Sequence, residues 1–200
     1  TEHSILKERS LVGRLVSVFY KTSLRGVSKV ITDTPRNARH SEQVNNLQPG
    51  SMHPIPVGTD EQLFTPQDSA ESSSDDLSLF FYTNGQRLHG TKYLLEALQG
   101  TEGIRLVLAG GGEKVTQMIS DYGVQDLVTH HEWIRFEELP KYMAAADICV
   151  AGPFGDTPQA HRVITGKAYQ ALGVGRTTLI GEIEDMEHFQ NRSNCLLVPQ

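Results

Sequence analysis

The chain has 200 residues, 38% of them apolar, which is enough for one domain with a real core and an appendage. Its 24 acidic and 18 basic residues leave a net charge of -6, a balance that favours solubility and gives bulk nucleic-acid binding no footing. No apolar run approaches the ~20 residues needed to span a bilayer.

The chain opens on Thr1 inside a polar segment, so the expectation is a piece cut from a longer protein at both ends. From about Leu6 to Gly26, Leu11, Leu15, Val18, Phe19 and Leu24 recur at roughly helical spacing. Lys7, Arg9, Arg14, Lys21 and Arg25 make this helix basic. Two readings fit: the solvated face of an ordinary core helix, or peripheral contact with an anionic membrane. Val27 to Thr32 predicts a short buried strand, stopped by Asp33, Thr34 and Pro35. That trio also predicts a helix start, with Asp33 or Thr34 as cap and Pro35 in the first turn. Asn45 to Gly50 is a turn, and Met52 to Val57 is a strand-like run interrupted by Pro54 and Pro56. Ser69 to Asp76 is polar and low in complexity, which predicts a surface loop.

Beyond this loop the pattern alternates regularly. Strands are predicted at Leu77–Tyr82, Ile104–Ala109, Leu127–His130, Asp147–Ala151, Thr177–Ile180 and Cys195–Val198. Helices are predicted near Thr91–Leu98, Lys114–Tyr122, Glu137–Ala145, Val163–Leu172 and Ile183–Phe189. Several strands are continuous apolar runs, as expected where helices cover both faces of a parallel sheet. The order predicts an α/β, Rossmann-like, doubly wound parallel sheet with a short N-terminal helical appendage. Cys149 and Cys195 lie in such runs without metal-ligand spacing, so buried thiols in a reducing, cytoplasmic setting are expected, with no metal.

Ligands of such sheets bind beyond the carboxyl ends of the strands, and three loops there carry unusual residues. Thr83 to Gly90 follows the first strand, with Asn84, Gly85, Arg87 and His89; Lys92 comes two residues later. Glycines let backbone approach a ligand and free amides at a helix start attract phosphate, but the segment also reads as an ordinary polar loop. Gly110-Gly111-Gly112 follows the second strand; it is not a dinucleotide fingerprint, and a tight strand-to-helix turn needs no ligand. Gly152-Pro153-Phe154-Gly155-Asp156-Thr157 precedes Arg162 and Lys167, two cations at a predicted helix start. Cations there oppose the helix dipole unless an anion sits between them and the amides; a solvated surface pair is the alternative.

Taken together, these residues resemble the large retaining glycosyltransferase family four, built on the GT-B architecture of two facing Rossmann-like lobes. Ile55-Pro56-Val57-Gly58-Thr59-Asp60 resembles that family's hinge into its second lobe, and Leu88-His89-Gly90 resembles a subgroup of it. Further matches are Glu138 to Tyr142 with Ala145-Ala146-Asp147, then Phe154 to Leu172, then Asn194 to Pro199. The resemblance makes residues 1–57 the end of an acceptor lobe and hinge, and 58–200 a nucleotide-sugar-binding lobe truncated at its C-terminus. Two glutamates that many members carry look replaced here by Arg162 and Gln170.

The resemblance implies transfer of a sugar, with retention, from a nucleotide-diphosphate sugar to a sugar, glycan or lipid acceptor, without metal or cofactor. It assigns Lys167 and Arg162 to the diphosphate, supported by backbone near His89 and Gly90 and by the Asn84, Phe154, Gly155 and Thr157 loops. Gly111 would allow close approach, Ile134 and Arg135 would meet the base, Gln170 the ribose, and Asp156 is the candidate for acid/base work. The piece alone is expected to bind donor without turnover. A sugar-nucleotide epimerase and a non-catalytic partner subunit are the competing readings.

Overall fold

The computed structural model describes residues 11–67, 75–184, 186 and 188–199. The chain divides into two compact units, Thr1–Pro56 and Val57–Gln200. The predicted helix residues before Leu11, and most of the polar segment from Ser69, lie outside the described residues.

In the first unit, α1 spans Leu11–Gly26, β1 Val30–Thr32, α2 Pro35–Asn45 and β2 Met52–Pro54. None of the residues of α1 is buried, and Leu11, Leu15 and Phe19 are exposed. Strand β1 starts later than predicted, since its parallel partner β2 offers only three residues, in the register Val30↔Met52. The cap of α2 is Thr34: its Oγ1 accepts from Asn37 N at 3.1 Å, with Pro35 following where no N–H is needed. Asp33 supports that cap instead of forming it, its Oδ1 accepting from Thr34 N and Asn37 Nδ2. Buried Glu42 ties α2 to β2, Oε1 accepting from Met52 N at 2.9 Å.

The second unit contains β3 Leu77–Tyr82, α3 Thr91–Leu98, β4 Ile104–Ala109, α4 Gly112–Asp121, β5 Val128–His131 and α5 Leu139–Ala144. There follow β6 Ile148–Val150, α6 Gly166–Gly173, β7 Thr177–Gly181 and β8 Leu196–Val198. The six strands are all parallel, in the order β5-β4-β3-β6-β7-β8. Side chains alternate across it. Leu79, Phe81, Leu106 and Leu108 pack on Leu95 of α3 and Val115 of α4. Phe80, Ala109 and Cys149 face Met143 of α5 and Ala171 of α6 on the other side. Both cysteines are buried and free.

Two predicted helices begin late. Phe136–Glu138 is a separate 3-10 turn before α5, where Pro140 sits in the first turn. Ala160–Arg162 is another, and α6 starts only at Gly166. The predicted helix over Ile183–Phe189 is not formed among the described residues. Ile183 and Phe189 both enter the core against Ile180, Ala168 and Cys195, so their helical spacing reflects a loop pinned at two points. Ile183 N donates to Met186 Sδ, and Asn194 holds the far end by accepting from Gln190 N and donating to His188 O.

The β7–β8 connection thus contributes no helix among the described residues. On the α3 side of these strands lies an open groove of about 490 Å³, bounded by Tyr93, Leu94, Ala97, Phe154, Leu179 and Val198. No described helix is long and apolar enough to cross a membrane.

Candidate functional site

The strand order reverses between β3 and β6, so a crevice forms where their following loops diverge at the carboxyl ends. Those loops, 83–90 and 151–157, are locked together. Gly155 N donates to Leu88 O at 3.1 Å. A Cβ on Gly155 would lie 2.0 Å from Arg87 O, and one on Gly90 would lie 2.5 Å from the Phe154 carbonyl carbon. Gly90 also has φ 71°, joining a 3-10 turn over Arg87–His89 to α3. Both glycines are therefore required by loop-to-loop packing, before any ligand is considered.

Asp156 serves the same junction. Its carboxylate bonds Arg87 Nη2 at 2.9 Å and Lys92 Nζ at 3.4 Å. The Arg87 bond, then Lys92, holds its pKa below the usual carboxylate range. A carboxylate committed to two cations is poorly suited to exchanging protons, which argues against the acid/base assignment.

Lys167 lies in the first turn of α6 and is only 5% exposed. Its ammonium sits 5.1 Å from the Tyr82 ring centroid and 5.9 Å from that of Phe81. No described carboxylate pairs with it, and burial pushes its pKa down to about 7. Arg162 does not share this helix start; it closes the preceding 3-10 turn and is half-buried. The expected pair of cations at one helix start is therefore a single buried lysine. Thr157 lies just before that 3-10 turn, its backbone and side-chain oxygens both accepting from Ala160 N.

One turn beyond Lys167, Gln170 accepts through Oε1 from the Tyr82 hydroxyl. Burial raises the Tyr82 pKa to about 12, against the opposing effect of that bond. One lone pair of the Gln170 oxygen is thereby engaged, and its amide N–H groups remain to donate. His89 Nδ1 lies 2.8 Å from the hydroxyl of Thr83, a residue 5% exposed. Burial, reinforced by the charge of Lys167, pushes the imidazole pKa down to about 4.

The remaining candidates are more peripheral. Asn84 is exposed, its Oδ1 accepting from Gln86 N. Gly111 has φ 80° and an added Cβ would meet Val115 Cγ2 at 2.2 Å, so packing accounts for it. Ile134 is half-buried against the α5–α6 core, while Arg135 is exposed and pairs with Glu137 at 3.6 Å. Sequence reasoning assigned no role to Tyr82 or Thr83, although Thr83 opens the first glycine loop; their position at the carboxyl end of β3 was the available signal. Among the described residues no group of three or more His, Cys, Asp or Glu could hold a metal ion.

No protein-family model matches the chain, and a search of the curated proteins finds no match. Solved structures do match. Sucrose-phosphate synthase from Thermosynechococcus elongatus superposes with a TM-score of 0.77 at 20% identity, over 99% of this chain and 52% of that one. Anabaena HepE in complex with UDP-glucose gives a TM-score of 0.69 at 18% identity, over 92% of this chain and 55% of that one. The catalytic domain of starch synthase IV from Arabidopsis thaliana, bound to ADP and acarbose, gives 0.65 at 11% identity, over 90% and 47%. The chain spans about half the length of these structures. At such identities the likeness is one of fold, and the fold is that of a Rossmann-like lobe as found in GT-B glycosyltransferases.

Proposed function

We propose that the second unit binds a nucleotide-diphosphate sugar beyond the carboxyl ends of β3 and β6, for transfer of the sugar with retention to a sugar, glycan or lipid acceptor. The observation that carries this reading is Lys167: a buried ammonium with no described anionic partner, at a helix start beside the switch point of the sheet. A charge so placed is costly in the absence of a compensating anion, and the free amides of the first turn favour that anion too. As the glycosidic bond breaks, negative charge grows on the diphosphate, and a preorganised ammonium stabilises it most at that moment.

In this reading Arg162 supplies the second cation, with the amide of Gly90 and the imidazole of His89 beside it. Gln170 donates its amide N–H to the ribose. Ile134 and Arg135 meet the base, and the Phe154–Thr157 loop shapes the sugar end. HepE complexed with UDP-glucose and starch synthase IV with ADP support the ligand class.

Calorimetric titration of UDP, ADP and GDP, each beside its nucleoside, tests the proposal. Lys167→Ala should weaken diphosphate binding by about 1.5 to 3 kcal/mol, the range for a hydrogen bond to a charged group, and leave the nucleoside nearly unaffected. Equal weakening of both would remove Lys167 from the phosphate.

A second reading, a non-catalytic partner subunit, is favoured by the double ion pairing of Asp156 and by Gln170 standing in place of a carboxylate. Sugar transfer measured with the complete two-lobed protein separates the two, because donor binding is common to both.

A further inference from the structure

We infer that Thr83 locks His89 in the neutral tautomer that carries its proton on Nε2, so that the imidazole offers a ligand oxygen a directional, uncharged hydrogen-bond donor. The ligand half of this statement rests on the donor-binding reading above; the tautomer does not.

Thr83 follows β3 directly and its backbone N donates to Ala109 O at 2.8 Å. Its hydroxyl oxygen accepts from Gly85 N at 3.0 Å. The side chain is buried, so its own hydrogen has to find an acceptor within the protein. Two lie near: His89 Nδ1 at 2.8 Å and Thr91 Oγ1 at 3.4 Å. The second is beyond the range of a good O–H···O bond, and Thr91 has a hydrogen of its own to direct at Thr83. The Thr83 hydrogen therefore goes to Nδ1. A nitrogen that accepts cannot be protonated, which leaves the proton on Nε2. The opposite tautomer would send the Thr83 hydrogen along the 3.4 Å path, and the imidazolium would do the same while adding a second charge near Lys167.

Nε2 has no hydrogen-bond partner among the described residues. It belongs to a ring half-buried at the junction of the two glycine loops, near enough to Lys167 to feel its charge. The two groups divide the work. In the unliganded chain the charge of Lys167 fades as pH rises through about 7, while His89 presents the same N–H on both sides of neutrality, down to about pH 4. Thr83 is a positioning residue in this scheme, acting only through the ring.

The test is ring-nitrogen NMR on the 200-residue chain, labelled with ¹⁵N and without ligand. His89 should show a pyridine-type Nδ1 and a protonated Nε2, unchanged between pH 8 and pH 5. Thr83→Val should mix the tautomers and weaken UDP binding by roughly tenfold, and Thr83→Ser should restore both. A protonated Nδ1, a ring that titrates near 6.5, or a Thr83→Val ring spectrum like that of wild type would each overturn the inference. If the valine variant fails to fold, the wild-type spectrum decides alone. A ring as inferred in a chain that binds no nucleoside diphosphate would overturn only the donor reading.

Discussion

At the scale of the residue, Lys167 couples function to the stability of the fold. Its pKa falls from 10.5 to about 7 on folding because burial disfavours the ammonium. Between those values the unfolded chain holds a proton that the folded chain has released, so stability rises as pH climbs from about 7 toward 10.5. Below 7 the buried charge exerts its full penalty. Lys167→Met keeps the apolar stem, and should stabilise the unliganded chain at pH 6 by roughly 1 to 3 kcal/mol, the scale of relieving an uncompensated buried polar group. It should also flatten the rise in Tm between pH 7 and pH 9. Circular-dichroism melts across that range check both, and a methionine variant that melts no higher at pH 6 would show that burial is not the cost assigned to it. His89 acts at the other end of the scale. With a pKa lowered from 6.5 to about 4, its contribution is complete above 6.5 and is lost as pH falls through 4. UDP binding at pH 8 should take up protons, since a diphosphate beside Lys167 favours the ammonium; titrations in buffers of different ionisation enthalpy reveal the uptake.

At the scale of the element, the two loops at the switch point act as one body because glycine lets their backbones touch. Gly155→Ala has to force apart Arg87 O and a new Cβ, and should cost roughly 1 to 3 kcal/mol, as overpacking does, together with much of the diphosphate affinity. Asp156→Ala removes only exposed ion pairs and should cost less than Gly155→Ala. Denaturant melts of the two variants should rank them in that order. Were Asp156→Ala stable and able to bind donor yet dead in transfer, the carboxylate would regain its chemical role. Where an element is bounded by backbone chemistry, the sequence disclosed it well: β3, β4 and α3 fall where apolar runs meet glycine or threonine, and Thr34-Pro35 marked α2. Ile183 to Phe189 misled because apolar spacing cannot tell a helix face from a loop that enters the core twice. The candidate site was legible as a set of loops at strand ends. The burial of Lys167, the pairing of Asp156 and the hand-off from Tyr82 to Gln170 were not, since each depends on contacts between residues far apart in the chain.

At the scale of the molecule, every candidate residue from Asn84 to Gln170 belongs to the second unit. Residues 57–200 expressed alone are therefore expected to bind UDP as the 200-residue chain does. A marked loss of affinity would mean that Thr1–Pro56 contributes to the site or to the integrity of its sheet. The parallel order also predicts slow assembly, because β3 must wait for β6, which lies across three helices and two strands of intervening chain.

The groove between α3 and the last two strands has a practical consequence for how such measurements are made. Apolar side chains bordering an open space of about 490 Å³ provide a berth for the dyes used to report unfolding. A fluorescent probe such as anilinonaphthalene sulfonate should light up on the native chain, so that a dye-monitored melt begins bright and under-reports the transition. Leu179→Asn, in the lining of the groove, should dim that starting signal by half or more without altering the affinity for UDP. A dark native state would mean that the groove is closed to small apolar molecules in solution.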